Sequence, residues 1–234
     1  MIVFFKDPKS ISDLERNRGI MSNMRPPAEL RKSIKIAVID DKPFAPEHNL
    51  KNNQFQIETF RDIQSINQLA EYPIVLCDLQ GVGINLAADL QGAYLIEELK
   101  SNYPEKSVIA FTGGSASSNI SRRAAAAADG YLKKDASIDE WRDLLDKHIK
   151  NLSDPVYVWR SLRLRLVKEG ISPIDLVRLE DAYVSSIKNG ATATKSSLED
   201  ISRKAALEPS VRKEVTGFLA SKAFDLIFQA LTAP

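Results

Sequence analysis

The sequence predicts an α/β domain on a five-stranded parallel sheet, followed by a small all-helical domain. Three observations predict it. Between Ile34 and Ser153, short apolar runs alternate with helical stretches. Three of those runs are continuously apolar, as strands covered on both faces are. From Asp154 onward the strand pattern stops, while apolar residues keep recurring at helical spacing.

The elements follow in order. Residues 1–33 are polar and broken by "RPP", so they read as a loosely packed N-terminal extension without chemistry; "MIVFF" is expected to add an edge strand or to pack as a hydrophobic anchor. Residues 34–153 form the α/β domain. Its strands are "IKIAVID", "FQIETF", "PIVLCDL", "SVIAFTG" and "GYLKK", and its helices are "QGAYLIEELKSNY", "SSNISRRAAAAAD" and "SIDEWRDLLDKHIKNL". In the last helix Ser137 and Glu140 have capping-box spacing. Such alternation winds right-handedly, and ligands then sit beyond the carboxyl ends of the strands. Residues 154–234 read as about four helices. Two of them begin with a capping residue and a proline, Asp154-Pro155 and Ser172-Pro173, and the second ends on Gly190.

Composition narrows the function classes. The 234 residues are 44% hydrophobic and 27% charged, ordinary for a globular chain, and 32 basic against 31 acidic side chains give no whole-chain field that favours nucleic acid or membrane. Cys77 is the only cysteine and His48 and His148 the only histidines, which excludes a disulfide framework and a zinc centre of cysteines or histidines. The N-terminal apolar run is too short for a signal-peptide core, and no run reaches membrane-spanning length, so a cytoplasmic protein is expected.

The strand ends carry the chemistry. The first ends in Asp40-Asp41, the third in Asp78, the fourth in Thr112 and the fifth in Lys133-Lys134. Two adjacent carboxylates at the mouth of a core repel each other and resist desolvation, so a cation or a lysine is expected beside them. Singly, each residue has an ordinary explanation: a turn or cap for the aspartates, a tight turn for Thr112 with its glycines, a solvated lysine. Together, in this order at strand ends, they resemble the receiver domain of two-component response regulators, a flavodoxin-like fold.

That resemblance has specific implications. Asp78 matches the phosphorylated aspartate. Asp40 and Asp41 match the acidic pair that helps to hold Mg²⁺, and Gln80 sits where the family offers a backbone carbonyl to the metal. Thr112 matches the hydroxyl that takes one phosphoryl oxygen, and Lys134, three residues after Tyr131, matches the lysine that takes another. Tyr131 resembles the ring that moves inward when that hydroxyl closes on phosphate. The implied partner is a histidine kinase or phosphotransfer protein. The implied activity extends at most to self-phosphorylation from a phosphodonor and autodephosphorylation.

The chain departs from the pattern in two places. Gly92 matches a helix-starting glycine that usually follows the aspartate more closely, so the loop "LQGVGINLAADLQ" is enlarged and expected to act as a lid or a docking surface. The segment "KPFAPEHNLKNNQ" is short and proline-broken where the family has a full helix. In the tail, "SSLEDISRKAALEPSVRKEVTGFLAS" only weakly resembles a helix-turn-helix, because Glu208 and Glu214 accompany Arg212 and Lys213 on the would-be reading helix. The basic set Arg160, Arg163, Arg165 and Lys168 reads as solvated surface. The leading expectation is a signalling protein whose residues 154–234 engage a protein effector or form a homodimer. A DNA-binding regulator and a phosphate sink or relay are the alternatives.

Overall fold

The computed structural model describes residues 8–16, 24–114 and 118–231, so the "MIVFF" segment lies outside the described residues. The chain forms two compact units: Met1–Pro26 with Asn151–Pro234, and Pro27–Lys150. The described part of residues 1–33 is not loosely packed. Helix α1 (Ile11–Arg16) buries Ile11 and Leu14 in the core of the first unit, while α2 (Pro27–Leu30) buries Leu30 in the second. Helices this short carry one or two apolar residues each, too few for a periodic signal.

In the second unit a 3₁₀ turn, Arg31–Ser33, leads into β1 (Lys35–Ile39), α3 (Glu47–Asn52) and β2 (Gln56–Phe60). Then come the 3₁₀ segment Ile66–Leu69, β3 (Ile74–Asp78), α4 (Gln91–Asn102), β4 (Ser107–Thr112), α5 (Asn119–Ala127), β5 (Gly130–Lys133) and α6 (Ile138–Ser153). The sheet is parallel throughout, in the order β2-β1-β3-β4-β5. The reversal of winding at β1 opens a crevice beyond the carboxyl ends of β1 and β3.

Strand alternation assigns the two faces. Ala37, Ile39, Val75, Cys77, Val108 and Ala110 meet Leu95, Ile96 and Leu99 of α4 and Ala124 of α5. On the opposite face Phe44, Phe111 and Trp141 form a cluster with ring centroids 5.2–5.6 Å apart. Cys77 is buried, its thiol pushed well up by desolvation, so it is a core residue. The expected capping box is present: Ser137 N donates to Glu140 Oε2 at 2.8 Å and Glu140 N to Ser137 Oγ at 3.3 Å.

The helical unit continues with α7 (Pro155–Lys168), α8 (Pro173–Ser186), α9 (Ala191–Lys204), α10 (Pro209–Ala220) and α11 (Lys222–Leu231). That is one helix more than the spacing predicts. The run from 208 to 231 breaks at Ser221, whose backbone is extended and whose Oγ accepts from Phe224 N at 3.2 Å, capping α11. A lone serine inside an apolar run hides such a break. The core is built on Trp159 stacked on Tyr183 (4.7 Å), with the Tyr183 hydroxyl donating to Pro155 O at 2.9 Å.

Three of the four basic residues on α7 are engaged within the unit. Arg160 pairs with Glu15 at 2.7 Å, Arg163 with Glu180 at 3.7 Å and Arg165 with Glu214 at 2.7 Å. Among the described residues no helix is long and apolar enough to cross a membrane.

Candidate functional site

Four residues from three strand ends converge. Asp40 follows β1, its N–H donating to Phe60 O at 3.0 Å and its carboxyl buried. Asp41 is exposed, and Arg61 Nη1 donates to its carbonyl at 2.8 Å. Asp78 ends β3 and is 2% exposed; its Oδ1 accepts from Leu79 N at 2.7 Å. Carboxylate oxygens of these three aspartates lie within 4.8 Å of one another. Lys134, just past β5, places its ammonium 2.6 Å from Asp78 Oδ2 and 3.0 Å from Asp40 Oδ1. Lys133 is exposed, as strand alternation requires of the neighbour of an inward-pointing lysine.

Of the other expected residues, Thr112 ends β4, Gln80 lies just past β3 and Tyr131 lies within β5. Thr112 is buried, its Oγ1 accepting from Gly114 N at 3.0 Å while its carbonyl accepts from Lys134 N at 3.0 Å. The Gln80 amide lies by Thr112: a Cβ on Gly114 would stand 3.2 Å from Gln80 Nε2 and 3.4 Å from Thr112 Oγ1. Tyr131 packs against the α4–α5 side of the sheet, and its hydroxyl is buried with no hydrogen-bond partner among the described residues.

Electrostatics follow from burial. Desolvation holds the Asp78 carboxyl above the usual range; Lys134 opposes this and Asp40 adds to it. Burial also pulls on Lys134, but hydrogen bonds and Coulomb attraction to Asp78 and Asp40 outweigh it, keeping the ammonium above the ordinary lysine range. Three carboxylates against one ammonium leave a net negative, oxygen-only cluster. That donor set suits a hard divalent cation of the Mg²⁺ class, which accepts one or two carboxylates and fills the rest of its shell with water or substrate oxygens.

The positioning residues lie in the enlarged loop, whose bending points in the sequence are Gly81 and Gly83, and at the end of β2, which spacing missed. Gly81 has φ +78° and lies against the Asp41 carboxyl, where a Cβ would come within 2.5 Å of Cγ. Gly81 N donates to Gln91 Oε1 at 2.9 Å, and Gly83 N to Asp62 Oδ1 at 2.7 Å. The first turn of the loop is therefore held at Gly81 and Gly83. The signal was available: reading the end of β2 as the other strand ends were read brings up Arg61 and Asp62.

No protein-family model matches the chain, and no curated protein matches it. Solved structures do. The receiver domain of NtrX from Brucella abortus is 22% identical, covering 48% of this chain and 96% of that one at a TM-score of 0.41. A CheY-like response regulator receiver domain protein from Methanospirillum hungatei JF-1 is 20% identical over 50% of this chain and 97% of its own, at 0.40. The sheet unit matches receiver domains in structure. Full-length FixJ from B. japonicum is 16% identical, covering 85% of this chain and 98% of that one at 0.44. At these identities the likeness concerns fold alone. The sheet unit has an acidic pocket formed by Asp40, Asp41 and Asp78, and is followed along the chain by an unidentified helical unit.

Proposed function

We propose that the chain is a response regulator whose receiver unit accepts a phosphoryl group on Asp78 from a histidine kinase or phosphotransfer protein, in the cytoplasm, and whose helical unit passes the signal to a protein effector or to its own copy. The single observation that carries this reading is Lys134 joined to both Asp78 and Asp40 inside a cluster of three carboxylates. A structural ion pair needs one acid; three acids around one ammonium are costly unless the site handles further charge.

The chemistry assigned to each residue follows from charge. An Asp78 oxygen attacks phosphorus, a P–O bond to Asp78 forms as the bond to the donor breaks, and the electron pair leaves with the donor. Mg²⁺, held by the carboxylates of Asp40, Asp41 and Asp78 and by the Gln80 carbonyl, would supply neutralising charge to the transferred group. The Lys134 ammonium then moves its hydrogen bond from the Asp78 carboxylate to a phosphoryl oxygen. Thr112 Oγ1 donates to another such oxygen, and Tyr131, whose hydroxyl has no partner among the described residues, follows the threonine.

For the output, pairing of Arg160, Arg163 and Arg165 with glutamates disfavours the DNA-binding alternative, since little positive charge remains on α7 for phosphates. The test is intact-mass measurement of the full chain incubated with a small acyl phosphate. Addition of one phosphoryl group that requires Mg²⁺ and is lost in Asp78→Asn is expected; the same gain in the variant contradicts the proposal.

A further inference from the structure

In the helical unit, large apolar side chains stand exposed along one strip. Helices α7 and α8 run antiparallel in a register set by three contacts: Tyr183 Oη to Pro155 O at 2.9 Å, Trp159 Nε1 to Glu180 Oε2 at 2.9 Å, and the Arg163–Glu180 pair at 3.7 Å. Within about one turn of that ion pair, toward the connecting loop, α7 presents Leu164 and Val167 while α8 presents Val177 and Ile174. Their exposures are 70%, 53%, 57% and 63%, and Tyr157 at 47% extends the strip along α7. Single exposed apolar residues are ordinary, but four on facing turns of one hairpin are a surface awaiting a partner.

We infer that a second copy of the chain covers this strip, the two α7–α8 hairpins packing face to face about a two-fold axis into a four-helix arrangement. The inference rests on reading the helical unit as an association module and not on the chemistry at Asp78. The spacing favours a copy: i, i+3 apolar pairs on two antiparallel helices form a seam that a two-fold lays onto itself. Charge favours it too. The arginines nearest the strip are internally balanced, Arg163 by Glu180, Arg160 by Glu15 and Arg178 by Asp175, so the rim neither repels a like surface nor recruits a polyanion. Lys168 and Glu169, exposed and of opposite sign at the loop end, allow each copy's lysine to face the other's glutamate. Area sets the strength. The strip offers on the order of 400 Å² per copy, and with the alkyl stems of Arg160 and Lys168 the pair buries about 1,000 Å², the lower bound for a specific interface and so for a reversible dimer.

The test is sedimentation velocity of the full chain over a hundredfold concentration range. Wild type is expected to pass from monomer to dimer, and Leu164→Glu with Val177→Glu to stay monomeric with an unchanged circular-dichroism melt, both sites being exposed. Cys77 is fully buried, so Leu164→Cys supplies the one accessible thiol. Mild oxidation is expected to link it into dimers, and to leave Lys195→Cys, exposed on α9, unlinked. Asp78→Asn is expected to dimerise like wild type, which separates this inference from the phosphoryl-transfer reading. A wild-type chain that stays monomeric throughout, a double variant that dimerises undiminished, or loss of the dimer in Asp78→Asn would overturn it.

Discussion

Replacing Asp78 by asparagine is expected to stabilise the cation-free chain while abolishing its response to Mg²⁺. The carboxylate oxygens of Asp78, Asp40 and Asp41 lie within 4.8 Å of one another. At an effective dielectric constant near 20, two unit charges at that separation repel by roughly 3 kcal/mol, and the carboxylate that acts on Asp78 in this way is the buried Asp40, Asp41 being exposed to water. Its attraction to Lys134 at 2.6 Å is worth roughly 6 kcal/mol on the same scale, so the pairwise terms leave a modest net attraction. The desolvation of a carboxylate that is 2% exposed outweighs that remainder and holds its proton above the usual range. Asparagine keeps an oxygen for Leu79 N, and Lys134 keeps Asp40. The variant is therefore expected to gain about 1 kcal/mol in EDTA, the scale of one pKa unit, because a carboxyl whose proton is held above the usual range is more stable uncharged. Wild type is expected to gain about 1.4 kcal/mol from Mg²⁺ at ten times its dissociation constant, and the variant a small fraction of that. Urea unfolding in EDTA and in Mg²⁺ measures both quantities, with hydrogen exchange at β1 and β3 amides assigning the change to the sheet unit. A variant destabilised in EDTA, or equal Mg²⁺ stabilisation of both proteins, would refute the reasoning.

Two other perturbations probe the scaffold. Gly92→Ala sets a Cβ 1.9 Å from Asp78 O and 2.9 Å from Leu79 Cα, backbone atoms that cannot swing aside, so α4 has to lift from the end of β3. A loss of about 3 kcal/mol in urea unfolding is expected, at the top of the range for overpacking, and an unchanged midpoint would show that the helix is not seated as described. His148 is buried with Nδ1 2.6 Å from Ser107 Oγ and Nε2 without a partner among the described residues; burial holds its pKa below the ordinary 6.5, with Asp129 opposing. A base depressed in the native state binds its proton more readily when unfolded, so its contribution is complete above the unfolded value and is lost as pH falls below about 6.5 toward the native one. The urea midpoint is expected to drop between pH 7.5 and 5.5 in wild type and to drop less in His148→Gln; identical slopes would remove His148 as the cause.

Much of the fold was legible because parallel strands buried on both faces must be continuously apolar. "IKIAVID", "PIVLCDL" and "SVIAFTG" became β1, β3 and β4 within a residue or two at each end, and the half-alternating "FQIETF" and "GYLKK" became the edge strands β2 and β5. Strand ends then located the convergence of Asp40, Asp41, Asp78 and Lys134, because a parallel sheet brings its carboxyl ends to one edge. What escaped depends on contacts rather than periodicity. Leu14 belongs to a helix too short to show a pattern, Ser221 interrupts an apolar run with a single capping hydroxyl, and Arg160, Arg163 and Arg165 look like a basic face until their glutamate partners are in place. Asp62 shows only when the end of β2 is read like the other strand ends, and its role there is to hold the enlarged loop.

The most direct measurement is localisation of the phosphoryl group. After incubation with a small acyl phosphate and Mg²⁺, borohydride reduction followed by peptide mass mapping is expected to place the converted acyl phosphate at Asp78 and nowhere else. Conversion at Asp40 or Asp41, or none anywhere in a chain that binds Mg²⁺, would contradict the assignment of Asp78 as the acceptor.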